Sequence, residues 1–229
     1  MTFSIVGEVD EVPWVMRNTE LQKLYRQVDR CKFCKAERNR LQHIHGYGAM
    51  NPKLMLILIN PTYRNISSNK EYQGDRFPFI GVRQFWKVLA SGGLIDNKIG
   101  FNLPTRTEWN SKHTAQIKKE LVKNRLFLTN IVKCCYDHSA YPDKSVIENQ
   151  LKLLAEEIRI VKPEKVVSFG GLVYKTLTGK NIKLADYWNG SQEKVVEAIS
   201  GLDILVMPCY FPIGRGKPRE AARILRKLA

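Results

Sequence analysis

At 229 residues, with 44% hydrophobic content, the chain is long enough for one α/β domain with a sizeable core. Lys and Arg number 37 against 22 Asp and Glu, a net charge of +15 that suits a polyanionic partner through steering and counterion release, or else a generally basic soluble surface. No apolar run approaches the ~20 residues of a membrane span, and acidic residues precede any long apolar stretch, so an intracellular protein of cytoplasm or nucleoid, without a membrane partner, is expected.

Residues 1–18 show no clean period. From Thr19, which can cap a helix, Leu21, Leu24, Tyr25 and Val28 fall at helical spacing. That helix runs into Cys31-Lys32-Phe33-Cys34, a basic segment, His43 and His45, and the turn Gly46-Tyr47-Gly48. Five cysteines, two of them in a Cys-x-x-Cys pair, suit a reduced compartment with metal or redox use. The run Leu54 to Ile59 is apolar at every position, the pattern of a strand buried on both faces, and it stops at Asn60-Pro61 because proline cannot donate to a ladder. A polar side chain at the carboxyl end of a buried strand is where open α/β sheets place ligands. Asn60 is the first candidate for chemistry, against the plainer reading of an Asn that closes a turn.

A polar loop, Arg64 to Asp75, leads to Arg76-Phe77-Pro78-Phe79-Ile80-Gly81. Phe85, Trp86, Val88 and Leu89 predict an amphipathic helix ending at Gly92-Gly93, residues 96–112 read as turn-rich, and a charged helix is expected near 113–123. Leu126 to Val132 is a second buried strand that delivers Asn130 and continues into Lys133-Cys134-Cys135. A helix over about 144–160, stopped by Pro163, precedes a third strand, Lys165 to Phe169, then Gly170-Gly171 and a further helix. Leu202 to Met207 reads as a fourth strand, Pro208 to Arg215 as a loop, and Arg219 to Leu228 as a basic helix. The alternation predicts one α/β/α domain over 1–229, with a mostly parallel four-stranded sheet between helical layers and an N-terminal segment, 1–45, that carries the Cys-x-x-Cys pair.

These pieces, in this order, resemble the uracil-DNA glycosylase superfamily. The iron–sulfur, family 4-like branch is matched by Cys31-x-x-Cys34, Gly46-Tyr47-Gly48, Phe77 to Gly81, Phe127 to Cys134, and Lys162-Pro163 ahead of Val166 to Gly170. Ile59-Asn60-Pro61 is instead similar to the mismatch-specific uracil and thymine glycosylases. The resemblance implies an enzyme that hydrolyses the N-glycosidic bond of uracil, or of another deaminated or mismatched base, in DNA. It implies a water held by Asn60, a base stacked on Phe79 and read by Asn130, and Ile59 and Tyr63 beside it. The loop of Pro208, Cys209, Tyr210, Phe211, Arg215 and Lys217 is implied to hold DNA, although Met207 stands where that motif usually begins with His or Asn. A thioether donates no hydrogen bond, so a damaged- or single-stranded-DNA-binding member without catalysis is the alternative.

The resemblance also implies a 4Fe-4S cluster on Cys31, Cys34 and Cys134, with the fourth position at Gln150, a poor iron ligand. Cys135 or His138 is the candidate substitute. A zinc site of Cys31, Cys34 and His43 or His45, or no metal, stays open. A monomer is expected.

Overall fold

A computed structural model describes residues 19–32, 41–136, 141–190, 195–198 and 202–229. It contains a six-stranded sheet built from β1 (Tyr47–Gly48), β2 (Leu54–Leu58), β3 (Leu126–Asn130), β4 (Lys165–Phe169), β5 (Val195–Ala198) and β6 (Leu202–Cys209). The spatial order is β1-β3-β2-β4-β6-β5. The four expected strands form its parallel centre, and the short β1 and β5 are added antiparallel at the two edges.

Strand β2 lies in the middle because all five of its residues are apolar, and all five are buried. Its side chains alternate between two cores, as the pleat requires. Leu54, Leu56 and Leu58 meet one cluster with Leu128, Val167, Phe85, Trp86, Ile117 and Ile224. Met55 and Ile57 meet the other, with Leu21, Leu24, Leu154, Ile158 and Val173. The first cluster is covered by α2 (Arg83–Ser91), α4 (Ser111–Lys123) and α8 (Pro218–Leu228), the second by α1 (Thr19–Asp29), α5 (Lys144–Val161) and α6 (Gly171–Thr178). The short helices α3 (Asn97–Asn102) and α7 (Leu184–Gly190) complete the three layers.

Several boundaries differ from those read in the sequence. The stretch 96–112 holds α3 and a 3-10 turn, Arg106–Glu108; Asp96 caps α3 by accepting from the backbone nitrogens of Lys98 and Ile99. Strand β6 continues two residues past Met207, because β4 pairs with it as far as Phe169 opposite Cys209. Helix α2 does stop at the glycine pair, where Gly93 takes φ 75°. Among the described residues, no helix is long and apolar enough to cross a membrane.

Leu56 sits opposite Leu128 on one side and Val167 on the other, and is wholly buried. Replacing it with Ala is expected to cost about 2–5 kcal/mol, because a cavity there has little room to collapse. Urea unfolding checks this: the midpoint should fall while the slope stays unchanged.

Candidate active site at the carboxyl edge of the sheet

Parallel strands bring their carboxyl ends to one edge, and the register sets Leu58 against Asn130. The pairing does not stop there. The Ile131 amide donates to the Leu58 carbonyl (2.7 Å) and Val132 to Ile59 (2.8 Å); Tyr136 donates to Pro61 (3.1 Å) and Tyr63 to Tyr136 (3.2 Å). The loop carrying Asn60 is therefore fastened to segment 131–136 by main-chain bonds, and its placement owes little to its own side chains. Asn60 is half-buried, and its amide nitrogen donates to the Pro61 carbonyl at 3.0 Å. With the nitrogen engaged, the carbonyl oxygen is the atom able to accept a hydrogen bond from a bound water.

Asn130 is 1% exposed, and neither Oδ1 nor Nδ2 has a hydrogen-bond partner. A buried amide left unmade at both atoms costs on the order of 1–3 kcal/mol per group, so its presence calls for an explanation. Alternation along β3 puts its side chain on the face of Leu126 and Leu128, which belong to the same cluster as Phe79 and Phe85.

Phe79 forms a flat wall there. Its ring stacks on Phe85 with centroids 3.9 Å apart and planes 9° apart, and Phe85 in turn meets Phe169 edge-on. The Phe79 backbone is left-handed (φ 65°), an uncommon conformation for a non-glycine residue. It is held there by its carbonyl, which accepts from the Trp86 indole (2.9 Å) and the Val82 amide (3.0 Å). Phe77 is fully buried in the ordinary way.

The structure brings Asn60, Phe79 and Asn130 to one edge and separates other candidates from them. Ile59 turns its side chain into the opposite cluster and spends its carbonyl on Val132, so its side chain does not line this face. Tyr63 stands at the rim, 40% exposed, its carbonyl accepting from Arg106 at 3.1 Å. Arg106 was not singled out from the sequence; only its place in a stretch read as irregular hinted at it.

The second loop also needs correction. Pro208 and Cys209 are strand residues, buried in β6, and cannot meet a phosphate from there. The Cys209 thiol contacts the Ala221 carbonyl (3.8 Å), and burial pushes its pKa far up, so it is an inert core group. Met207 is buried opposite Val167. The exposed loop begins at Tyr210 and is closed by the Lys217 amide donating to the Phe211 carbonyl at 3.0 Å. Phe211 and Arg215 are exposed on it, and the Lys217 ammonium lies 5.2 Å from the centre of the Tyr210 ring.

The cysteines converge only in part. Cys34 and His138 lie outside the described residues. The Gln150 amide nitrogen donates to Cys31 Sγ at 3.2 Å and reaches Cys134 Sγ at 4.0 Å, while its Oε1 accepts from the Lys133 amide at 3.4 Å. Gln150, at the position where the resemblance implies a fourth ligand, thus lies beside Cys31 and Cys134 and turns an N–H, with no lone pair for iron, toward their sulfurs. Cys135 does not make up the deficit. It is buried, and among the described residues no three His, Cys, Asp or Glu side chains gather closely enough to hold a metal ion. His45 is engaged by Asp29 at 2.7 Å. With Gln150 there, the described residues leave the expected four-cysteine set one thiolate short at that position.

A parallel-centred sheet with two amides and an aromatic wall at its carboxyl edge defines an α/β protein of the crevice-binding kind. The chain belongs to the uracil DNA glycosylase superfamily, whose family model matches residues 45–228. It is also similar to a type-4 uracil-DNA glycosylase of Pyrobaculum aerophilum, 24% identical over 211 residues that cover 92% of this chain and 87% of the relative. Membership supports a DNA glycosylase activity, and proteins of this family act on DNA.

The donor set makes its own test. Anaerobically prepared wild type is expected to lack stoichiometric iron and the visible charge-transfer absorption of a cluster, and Gln150→Cys to gain both, because the change supplies the missing thiolate. Iron analysis and an absorption spectrum read this; a wild type as rich in iron as the variant contradicts it.

Proposed function

We propose that the protein hydrolyses the N-glycosidic bond of uracil in DNA, with the target nucleotide flipped out of the stack into the crevice between Phe79 and Asn130. The observation that carries this reading is the Asn130 amide, buried and unpartnered at both donor and acceptor. Uracil presents an acceptor at O4 beside a donor at N3, and an amide satisfies both at once. Cytosine presents the reverse pair, a donor at N4 and an acceptor at N3, and so mismatches both atoms of an Asn130 amide oriented for uracil. Phe79 supplies the stacking face, and Tyr63 at the rim is the residue that a 5-methyl group would meet.

Asn60 is a weak base and acts by position. Its carbonyl oxygen holds a water in line with the sugar carbon, on a loop whose main-chain bonds leave it little freedom. As the bond lengthens, charge grows on the departing base, and the donor half of the Asn130 amide is already in place for it. Phe211 enters the space the flipped base vacates, and Arg215 and Lys217 hold flanking phosphates, in keeping with the net charge of +15.

A second reading, binding of damaged or single-stranded DNA without cleavage, is favoured by Met207, which brings no donor to the edge. One assay separates the two. Purified protein incubated with uracil-containing single strands and duplexes is expected to leave alkali-labile abasic sites, and Asn60→Ala to lower the rate by about 100-fold or more. Salt-sensitive binding with no abasic product supports the second reading. A wild type no faster than Asn60→Ala removes Asn60 from the mechanism.

A further inference from the structure

Behind the crevice, on the opposite face of β3, lies an ion pair sealed from water. Lys133 is 1% exposed and Glu157 is fully buried. The Lys133 ammonium has three N–H groups and three acceptors: Glu157 Oε2 at 2.6 Å, the Asn130 carbonyl at 2.6 Å, and the Thr129 hydroxyl. The Thr129 hydroxyl in turn donates its own O–H to Glu157 Oε2 at 2.9 Å. Tyr25 lies with its hydroxyl 2.7 Å from Glu157 Oε1 and 3.0 Å from the Gly46 carbonyl oxygen. Gly46 has to be glycine, since a Cβ there would fall 2.6 Å from Glu157 Oε1 and 2.5 Å from the Phe127 ring. The surroundings are built around this carboxylate.

Burying two ions costs several kcal/mol each, and an apolar pair of similar volume often serves stability equally well. What an apolar pair cannot do is hold the Asn130 carbonyl. Residues of β3 that bond toward β1 alternate: Ala49 donates to the Leu126 carbonyl at 2.8 Å, and Leu128 faces Tyr47. Strand β1 is only two residues long, so the next carbonyl in the series, that of Asn130, has no strand beside it. Lys133 supplies the missing donor. The Asn130 side chain has no protein partner of its own, so its aim depends on how firmly its backbone is fixed.

We infer that Lys133, held by Glu157 and Tyr25, is a positioning residue that fixes Asn130 for reading the base. The inference rests on the proposed base-reading role of Asn130. Its test uses Lys133→Met/Glu157→Gln, which removes both charges together and so leaves no lone buried ion. The double variant is expected to fold and to keep its KM for a uracil oligonucleotide, which is set mainly by phosphate contacts. Its kcat should fall by between about tenfold and a hundredfold, and inhibition by free uracil should weaken by a similar factor. In an Asn130→Ala background the same two changes should have no further effect, as expected of groups that act through one residue.

An unchanged kcat in the folded double variant overturns the inference, as does a loss that multiplies fully with that of Asn130→Ala. Should the double variant not fold, Tyr25→Phe, which slackens Glu157 without altering charge, is expected to lower kcat at constant KM; no change there is equally fatal. A wild type that releases no uracil sinks the glycosylase reading alone, and free-uracil titration of wild type against the double variant then decides the positioning role. A wild type that neither binds nor releases uracil overturns both.

Discussion

The parallel register that sets Leu58 opposite Asn130 is the constraint on which the candidate site depends. It fixes which residues leave the sheet at the same height. It also lets the ladder continue into irregular chain, so that 59–63 and 131–136 stay paired beyond the strands themselves. A slip of one residue would turn Asn130 to the other face and put Thr129 in its place. Such a slip is opposed from both sides, since Leu54, Leu56 and Leu58 and the alternate Met55 and Ile57 each have a core of their own.

Much of this was legible in the sequence because the central strands are continuous apolar runs and the long helices carry apolar stripes. The same logic fails for elements that exist only by attachment. Strand β1 has two residues and no pattern; it is a strand because Gly48, within 2.0 Å of the Leu126 carbonyl for any added Cβ, lets the chain lie against β3. Strand β5 likewise depends on β6. Helix α3 is short and polar, and it forms where Gly100 permits close approach to Ala90 of α2. The end of β6 was misplaced by two residues because Pro208 reads as a stop, whereas β4 beside it still offers pairing.

The candidate site divides along similar lines. Asn60 and Asn130 could be named because each ends a buried apolar strand, and Phe79 because it follows a proline in a loop that resembles the family's; the resemblance supplied their roles. The ion pair behind them was missed, although Glu157 and Gln150 fall on the apolar stripe of α5 with Val146, Leu154, Ile158 and Val161. Polar residues on a buried stripe need partners, and both have them: Glu157 in Lys133 and Tyr25, Gln150 in the cysteine sulfurs. The stripe thus serves two purposes along one helix, with a charged station near β3 and an amide station beside the sulfurs of Cys31 and Cys134. The latter marks where this chain departs from a four-cysteine chassis while keeping the same fold.

The aromatic wall has a further consequence. Phe79 keeps its left-handed backbone because an indole in the hydrophobic core grips its carbonyl. Trp86 is completely buried and belongs to α2, so the wall of the crevice is mechanically part of that helix. The wall therefore inherits the stiffness of the core and does not share the mobility of a surface loop. On the proposed function, evolution of a broader base preference would then have to work at the rim and the floor, where side chains can change singly. Moving the wall would mean repacking a helix.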